Sequence, residues 1–493
     1  MTPTALTVAA LTARAARLFA SRPLVELDAD GGRRAHRLGE VARDALSFGR
    51  GLRALGLPAG TAVAALLGNH RAHLEAQLGV ASAGLALHAL SPRHPVEALA
   101  RALRRAGDRV MLADAASLDL ARALCAEAGI PHLVVTHETD REGELAWSNV
   151  RARGEAAPPF DPPGEDDPAM ISEAVLRPGH LRAVTVTHRA AVLHAMACAT
   201  VDGLGLGRRD VILPAMPLYH ANGCGLPLVT ALVGATLVLQ SLDADADQLR
   251  EALSREGVTF AAGVSSAWAG LAEAIAARPE GPALPRGLRL MAGGNAPPTA
   301  LVEALRGHGA EVLHVYGMTE TGPLATACLG DSAQGHPVPL MELRVVDANG
   351  RALEVGGDGE GEVQLRGPWV ASAYLEDGAT PDRWTDDAWL RTGDLGRYDE
   401  GGALRLTGRI KPMIRCGGEW VDAEALERAA RAHPEVVEAS VRCVAHPRLV
   451  EQPEVRAVVR EGARLDAEAL RSYLVAWWPQ GAAPPMVVEV RGS

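Results

Sequence analysis

The fold class predicted for this 493-residue chain is α/β: a large N-terminal domain of two doubly wound α/β subdomains plus a small β-rich subdomain, then a small α+β lid. Three observations predict it. Apolar residues alternate between helical spacing and short buried runs over the first 313 residues; after Met341 the texture turns to short strands separated by Gly and Asp; and it changes again after residue 410. Helix and strand in alternation imply parallel sheets with helices on both faces, because parallel neighbours need a crossover.

The elements follow in order. Apolar positions at helical spacing over 38–55 predict a helix, and Pro58, Ala59 and Gly60 then turn the chain into TAVAALL, a short buried strand. A helix over 70–83, a strand at RVMLA from Arg109, a helix over 118–128 and a strand at HLVVT from His132 repeat the pattern. The Pro/Gly/Asp-rich stretch at 157–168 reads as a loop and a subdomain junction, with a second alternating run over 169–313. LRVVD and GEVQLRG belong to the β-rich subdomain, which ends near Arg409. Residues 1–410 form the large domain and 411–493 a truncated lid with helices at AEALERAARAH and LDAEALRSYLVAW. The N-terminal stretch, basic at Arg14 and Arg17 and free of acid before Glu26, reads as an ordinary first helix rather than a transit peptide.

Composition excludes several classes. Hydrophobic residues at 48%, charged residues at 22% and no apolar run of bilayer length describe a soluble globular protein without stable membrane insertion. A net charge of −11, with no polybasic block, argues against nucleic acid. Cys125, Cys198, Cys224, Cys328, Cys416 and Cys443 are too scattered for a metal site or a disulfide framework, which suits reduced thiols and a cytoplasmic location.

Two long segments carry the chemistry: HVYGMTETGP at 314–323 and RTGDLGRYDEGGALRLTGRIKPMIRCGGEWVDAEALE at 391–427. Taken singly, Gly-Met-Thr-Glu is an ordinary turn, Asp394 a turn aspartate and Arg409 a surface arginine; their long, ordered joint occurrence is what raises the signal. MPLYHANGCGLP at 216–227 and MAGGNAPP at 291–298 agree in order and spacing, although each alone is a Gly/Pro loop.

Together these segments resemble the adenylate-forming (acyl-CoA synthetase, AMP-binding) superfamily, in particular medium-chain fatty-acid and methylthioalkanoate CoA ligases, over about residues 38–478. The resemblance implies ATP/AMP, Mg2+ and CoA or a carrier-protein pantetheine as cofactors. It also implies a small carboxylic acid or acyl-adenylate as partner, CoA or an acyl carrier protein as acceptor, and allows a homodimer. Residue by residue it places Tyr316 against the adenine, Thr319 on the α-phosphate and Glu320 on magnesium, a hard cation that favours oxygen ligands. Asp394, assisted by Arg409, holds the ribose hydroxyls, and Gly293, Gly294 and Asn295 close over the base. His220 lines the acyl tunnel and Lys411 is the interdomain hinge. Arg415, standing where the family has lysine, lines the pantetheine channel with Gly417, Gly418 and Trp420. The pair Trp477 and Trp478 matches the medium-chain type or serves packing alone.

The family pattern breaks in two places. In the register set by THRA at 187–190, the hydroxyl-rich phosphate loop is replaced by Ala174, Val175, Leu176, Arg177 and Pro178, and the usual Lys-Gly by Arg182 and Ala183. A phosphate cradle needs converging N–H and hydroxyl donors, which Val, Leu and Pro do not supply; Arg177 and Arg182 offer charge instead. The family's C-terminal catalytic lysine has no counterpart in the closing VVEVRGS. The expected function is an AMP-forming acid–thiol ligase acting on a small or medium carboxylic acid, with impaired adenylation, or an acyltransferase that uses a preformed acyl-adenylate or thioester. The alternatives are a non-catalytic adenylate- or acyl-CoA-binding homologue and a repurposed acyltransferase.

Overall fold

The structure, a computed structural model, describes residues 5–158, 160–177, 180–330, 333–375, 383–410, 413–416, 419–446, 448–460, 463, 465–477 and 486–492. Short apolar runs bounded by turns become central strands, as period-free burial requires: VMLA at Val110–Ala113 and AVAAL at Ala62–Leu66 are buried throughout. They lie in a seven-stranded sheet ordered Glu144–Ala146, His132–Val135, Val110–Ala113, Ala62–Leu66, Ala86–Ala89, Pro168–Arg177, His180–Thr187. All neighbours in it are parallel except the last pair, an antiparallel hairpin.

A nine-stranded sheet runs His336–Pro337, Thr326–Leu329, Ala310–Tyr316, Leu288–Gly293, Phe260–Val264, Val211–Pro214, Thr236–Gln240, Pro23–Leu27, Arg33–Arg37. Its edges are antiparallel and its middle parallel. Four antiparallel strands, Glu342–Val346, Gly361–Arg366, Leu390–Tyr398 and Leu404–Arg409, make a third sheet. The strands from Met413 onward build a fourth sheet over a separate core that includes Leu426, Val455, Leu470 and Leu474.

One expectation is corrected here. The loop at 157–168 does not divide the sheets, because the strand that follows it, Pro168–Arg177, pairs with Ala86–Ala89 and completes the first sheet. The second sheet instead takes the early strand Pro23–Leu27, which pairs with Thr236–Gln240 across more than 200 residues of chain. Sequence order is a poor guide to sheet membership when a β-hairpin can close either edge.

Helices Leu38–Arg53, Arg71–Ser82 and Trp147–Ala156 cover one face of the first sheet by approaching backbone to backbone. A Cβ on Gly154 would lie 1.7 Å from the Ser47 carbonyl oxygen and one on Gly49 2.1 Å from that of Gly79, so side chains are excluded at both crossings. Behind the hairpin lies a buried charge cluster. His88 contacts Asp108 through Nδ1 (2.7 Å) and Glu173 through Nε2 (2.9 Å), and Arg105 donates to Glu173 at 3.1 Å. Burial alone would lower the His88 pKa, but the charge and hydrogen bond of Asp108, joined by Glu173, push it up to about 10.

Protonated His88 therefore stabilises the fold. A pKa raised on folding gives stabilisation that is complete below the unfolded value of about 6.5 and is lost as pH rises through the folded value. His88→Gln is expected to cost about 3–5 kcal/mol, because two buried carboxylates lose their shared cation. Thermal unfolding should show a wild-type Tm that falls more steeply than that of the variant as pH rises from neutrality towards 10.

Candidate active site

Two buried carboxylates organise the region where the nine-stranded sheet meets the four-stranded one. The strand Ala310–Tyr316 ends in a fold-back that Gly317 permits: a Cβ there would sit 2.5 Å from the Pro323 carbonyl carbon and 2.8 Å from the Leu324 nitrogen. The short 3-10 turn Thr319–Thr321 follows, tied by Met318 N–H to Thr321 Oγ1 (2.9 Å) and by Ala325 N–H back to the Tyr316 carbonyl (2.8 Å). Thr319 is half-buried at the start of this turn, and Glu320 is only 3% exposed.

Asp394 lies on Leu390–Tyr398, directly opposite Arg409 on Leu404–Arg409. Its Oδ2 accepts from the Tyr316 hydroxyl at 2.7 Å, and its Oδ1 accepts from Arg409 Nε. Burial, reinforced by the Asp394 charge, pushes the Tyr316 phenol well above its ordinary pKa, so it remains a donor. Tyr316 and Asp394, 78 residues apart, and Arg409, 15 residues beyond Asp394, thus form one hydrogen-bonded unit.

Glu320 has partners that the sequence did not reveal. Its Oε1 accepts from the Tyr374 hydroxyl at 2.5 Å and from Arg383 Nη2 at 3.1 Å. Arg383 Nη1 also donates to the Thr392 carbonyl (3.1 Å), which ties the Glu320 turn to the Asp394 strand. Tyr374 in turn bridges Val184 of the hairpin, and Leu375 N–H donates to the Ala183 carbonyl at 2.8 Å. A signal was available in GPWVASAYLEDGATPDRWTDD, where three aromatic residues (Trp369, Tyr374 and Trp384) and Arg383 precede RTGD, but no spacing rule ties them to Glu320.

The segment at the phosphate-loop position is a hairpin. Pro168–Arg177 pairs with His180–Thr187 as far as Arg177 opposite His180, with Ala174 opposite Arg182 and Val175 opposite Leu181. The pairing thus continues to the last described residues on either side of Pro178 and Gly179, so alternate backbone N–H groups of this stretch face the partner strand. Ala174 and Val184 pack with Ala371 and Tyr374 in a small apolar cluster.

The remaining candidates fall as follows. Gly293 ends the strand Leu288–Gly293, Gly294 has φ +91°, and the Asn295 carbonyl accepts from Ser265 Oγ at 2.7 Å. His220 opens the 3-10 segment His220–Gly225, where Ala221 and Cys224 hold positive φ (38° and 50°) beside Gly223 and Gly225. Such strain in non-glycine residues concentrates at functional sites. Asn69 anchors the approach to this segment through Nδ2 to the Met216 carbonyl (2.8 Å) and Oδ1 from Leu218 N–H (2.9 Å). Lys411, Gly417 and Gly418 lie outside the described residues, as do the side chains of Arg415 and Trp420. The strand that bears Trp420, Glu419–Asp422, lies against Pro168–Arg177, which brings the C-terminal sheet to the hairpin.

Magnesium, implied by the resemblance, takes oxygen ligands in near-octahedral geometry, with one or two carboxylates and substrate phosphates. The residues as arranged do not fit it well: Oε1 of Glu320, the carboxylate assigned to the ion, already takes both a guanidinium and a phenol.

This architecture is that of the adenylate-forming enzymes. An amide bond synthetase from Marinactinospora thermotolerans superposes with a TM-score of 0.81 at 25% identity, over 98% of this chain and 95% of its own. The chain belongs to the AMP-binding enzyme family, whose model matches residues 13–375. It is 37% identical to a long-chain-fatty-acid–CoA ligase of Thermus thermophilus, over 94% of this chain and 87% of the relative. It is 32% identical to a 3-methylmercaptopropionyl-CoA ligase of Ruegeria pomeroyi, over 98% of this chain and 94% of the relative. The protein is thus acyl-CoA synthetase-like, and no helix among the described residues is long and apolar enough to cross a membrane.

Gly317→Ala should force the 317–324 fold-back open and destabilise the protein by about 1–3 kcal/mol, as overpacking does, read as a lowered Tm. Tyr316→Phe, which leaves Asp394 with one fewer donor, should cost about 1.5–3 kcal/mol by the worth of a hydrogen bond to a charged group.

Proposed function

We propose that the chain transfers the acyl group of a small or medium carboxylic acid from its acyl-adenylate to a pantetheine thiol, of CoA or a carrier protein, and that ATP-dependent formation of the adenylate is slow. The support is a contrast within one cleft: the Tyr316–Asp394–Arg409 unit is assembled, while the phosphate-loop segment is paired into a hairpin. The curated relatives, ligases of long-chain fatty acids and of 3-methylmercaptopropionate, support the carboxylic-acid class.

In this proposal Asp394 accepts from the ribose hydroxyls with the lone pairs that Tyr316 and Arg409 leave, and the Tyr316 ring walls the adenine with Gly293, Gly294 and Asn295 beside it. The Thr319 hydroxyl donates to the phosphate, Arg182 adds positive charge at the hairpin and His220 borders the acyl chain. The thiol sulfur attacks the acyl carbonyl carbon; as the S–C bond forms, the bond from that carbon to the phosphate oxygen breaks, and AMP leaves with the electron pair. The thiol proton passes to solvent. Residues 411–493 act as the lid, pivoting at Lys411, with Arg415, Gly417, Gly418 and Trp420 on the thiol's path. The enclosure keeps water from competing for the adenylate.

Synthetic acyl-AMP with CoA should give thioester, while pyrophosphate exchange with acid and ATP should run about 100- to 1,000-fold slower, the usual loss when a preorganised phosphate donor is missing. Thioester no faster than the uncatalysed reaction would overturn the proposal. Retained binding of acyl-AMP would then favour a second reading, an adenylate-binding subunit without turnover, which the paired hairpin also supports.

A further inference from the structure

The Glu320–Arg383 pair has a consequence for which ligands the cleft accepts. Arg383 is 21% exposed at its side chain and Glu320 3%, so the pair is largely shielded from water. It is held from both sides: Tyr374 donates to the same Glu320 oxygen, and the Thr392 carbonyl accepts from Arg383 Nη1. Tyr374 rests on Ala174 and Val184 of the hairpin and meets Trp384 edge to face, with ring centroids 5.2 Å apart. Ala174, at one of the positions where a phosphate loop would carry a hydroxyl or glycine, therefore joins Val184 in the floor under the Tyr374 that pins Glu320.

A guanidinium carries five N–H donors in a rigid fork. Arg383 uses Nη2 on Glu320 and on Met318 Sδ (3.8 Å) and Nη1 on the Thr392 carbonyl, while its enclosed Nε finds no hydrogen-bond partner among the described residues. The second N–H of Nη1 remains for an anion arriving between the Glu320 turn and the Asp394 strand. Charge also limits what that anion can be. A divalent cation on Glu320 would leave one net positive charge, whereas Arg383 on Glu320 leaves none, and the Arg409–Asp394 pair is likewise neutral. With Arg182 adding one positive charge at the hairpin, such a site suits a phosphate ester of low charge better than a triphosphate.

Resting on the adenylate-cleft reading above, we propose that Arg383 stands in place of the divalent cation: a nucleoside 5′-monophosphate or acyl-adenylate is held by the Arg383 guanidinium, oriented by Glu320 and Tyr374, without magnesium.

The test uses AMP as probe, by calorimetry on the full chain in EDTA or in magnesium chloride. Wild type should bind with affinities within about twofold of each other, and Arg383→Gln should lose about tenfold in EDTA, the worth of one charge-assisted hydrogen bond. Magnesium should restore part of the Arg383→Gln loss, because Glu320 is then freed as a ligand; Arg383→Lys should keep more affinity in EDTA than Arg383→Gln. Recovery with magnesium separates lost contact from misfolding. The proposal is overturned if wild type weakens about tenfold in EDTA, if Arg383→Gln binds as tightly as wild type, or if magnesium restores nothing, each judged against that same hydrogen-bond scale. Absence of AMP binding under both conditions overturns the adenylate-cleft reading as well, whereas magnesium-dependent binding overturns this inference alone.

Discussion

A carboxylate enclosed by protein must be paired or neutralised, and the functional end of this molecule is arranged around two that are paired. Glu320 meets Arg383 and Tyr374, while Asp394 meets Arg409 and Tyr316. Removing one partner of such a pair costs far more than the pair itself contributes, because the desolvated charge is left behind. The partners come from separate stretches of chain, so the electrostatic demand of two acids brings together the end of the nine-stranded sheet, Tyr374 and Arg383, and the four-stranded sheet.

The hairpin and the Arg383 clamp form one arrangement rather than two separate departures. Ala174 and Val184 pack against Tyr374, the main chain at Ala183 accepts from Leu375 N–H, and Tyr374 passes the constraint to Glu320. A hydroxyl in place of the Ala174 methyl would put a polar group among the apolar contacts beneath Tyr374. Behind the same strand, Glu173 points into the His88–Asp108–Arg105 cluster, which fixes Pro168–Arg177 from its other face. The strand is therefore held between a charged cluster and an apolar one.

Much of the fold was legible from pattern. The helices at Leu38–Arg53, Arg71–Ser82 and Leu118–Ala128 and the strands at Ala62–Leu66, Val110–Ala113 and His132–Val135 follow from apolar spacing and Gly/Pro punctuation, because burial of one face is a local property of the chain. Sheet membership was not legible. Pro23–Leu27 pairs with a strand more than 200 residues away, and nothing in its own five residues specifies that neighbour. The aromatic, aspartate and arginine of the Tyr316 unit stood out only because the two long motifs that contain them resemble a known family. Arg383 and Tyr374 belong to neither motif, so their pairing with Glu320 had no one-dimensional signature.

By itself the sequence determined the alternation of helices and strands, the nucleotide-handling motifs and the membership of residues 174–178 in a segment poor in phosphate donors. Those properties reside in residue types and short-range spacing. Only the tertiary structure decided that Asp394 shares a hydrogen-bonded unit with Tyr316 and that Glu320 faces a guanidinium. Both depend on contacts between distant segments, and a buried charge takes whichever partner the packing places within reach.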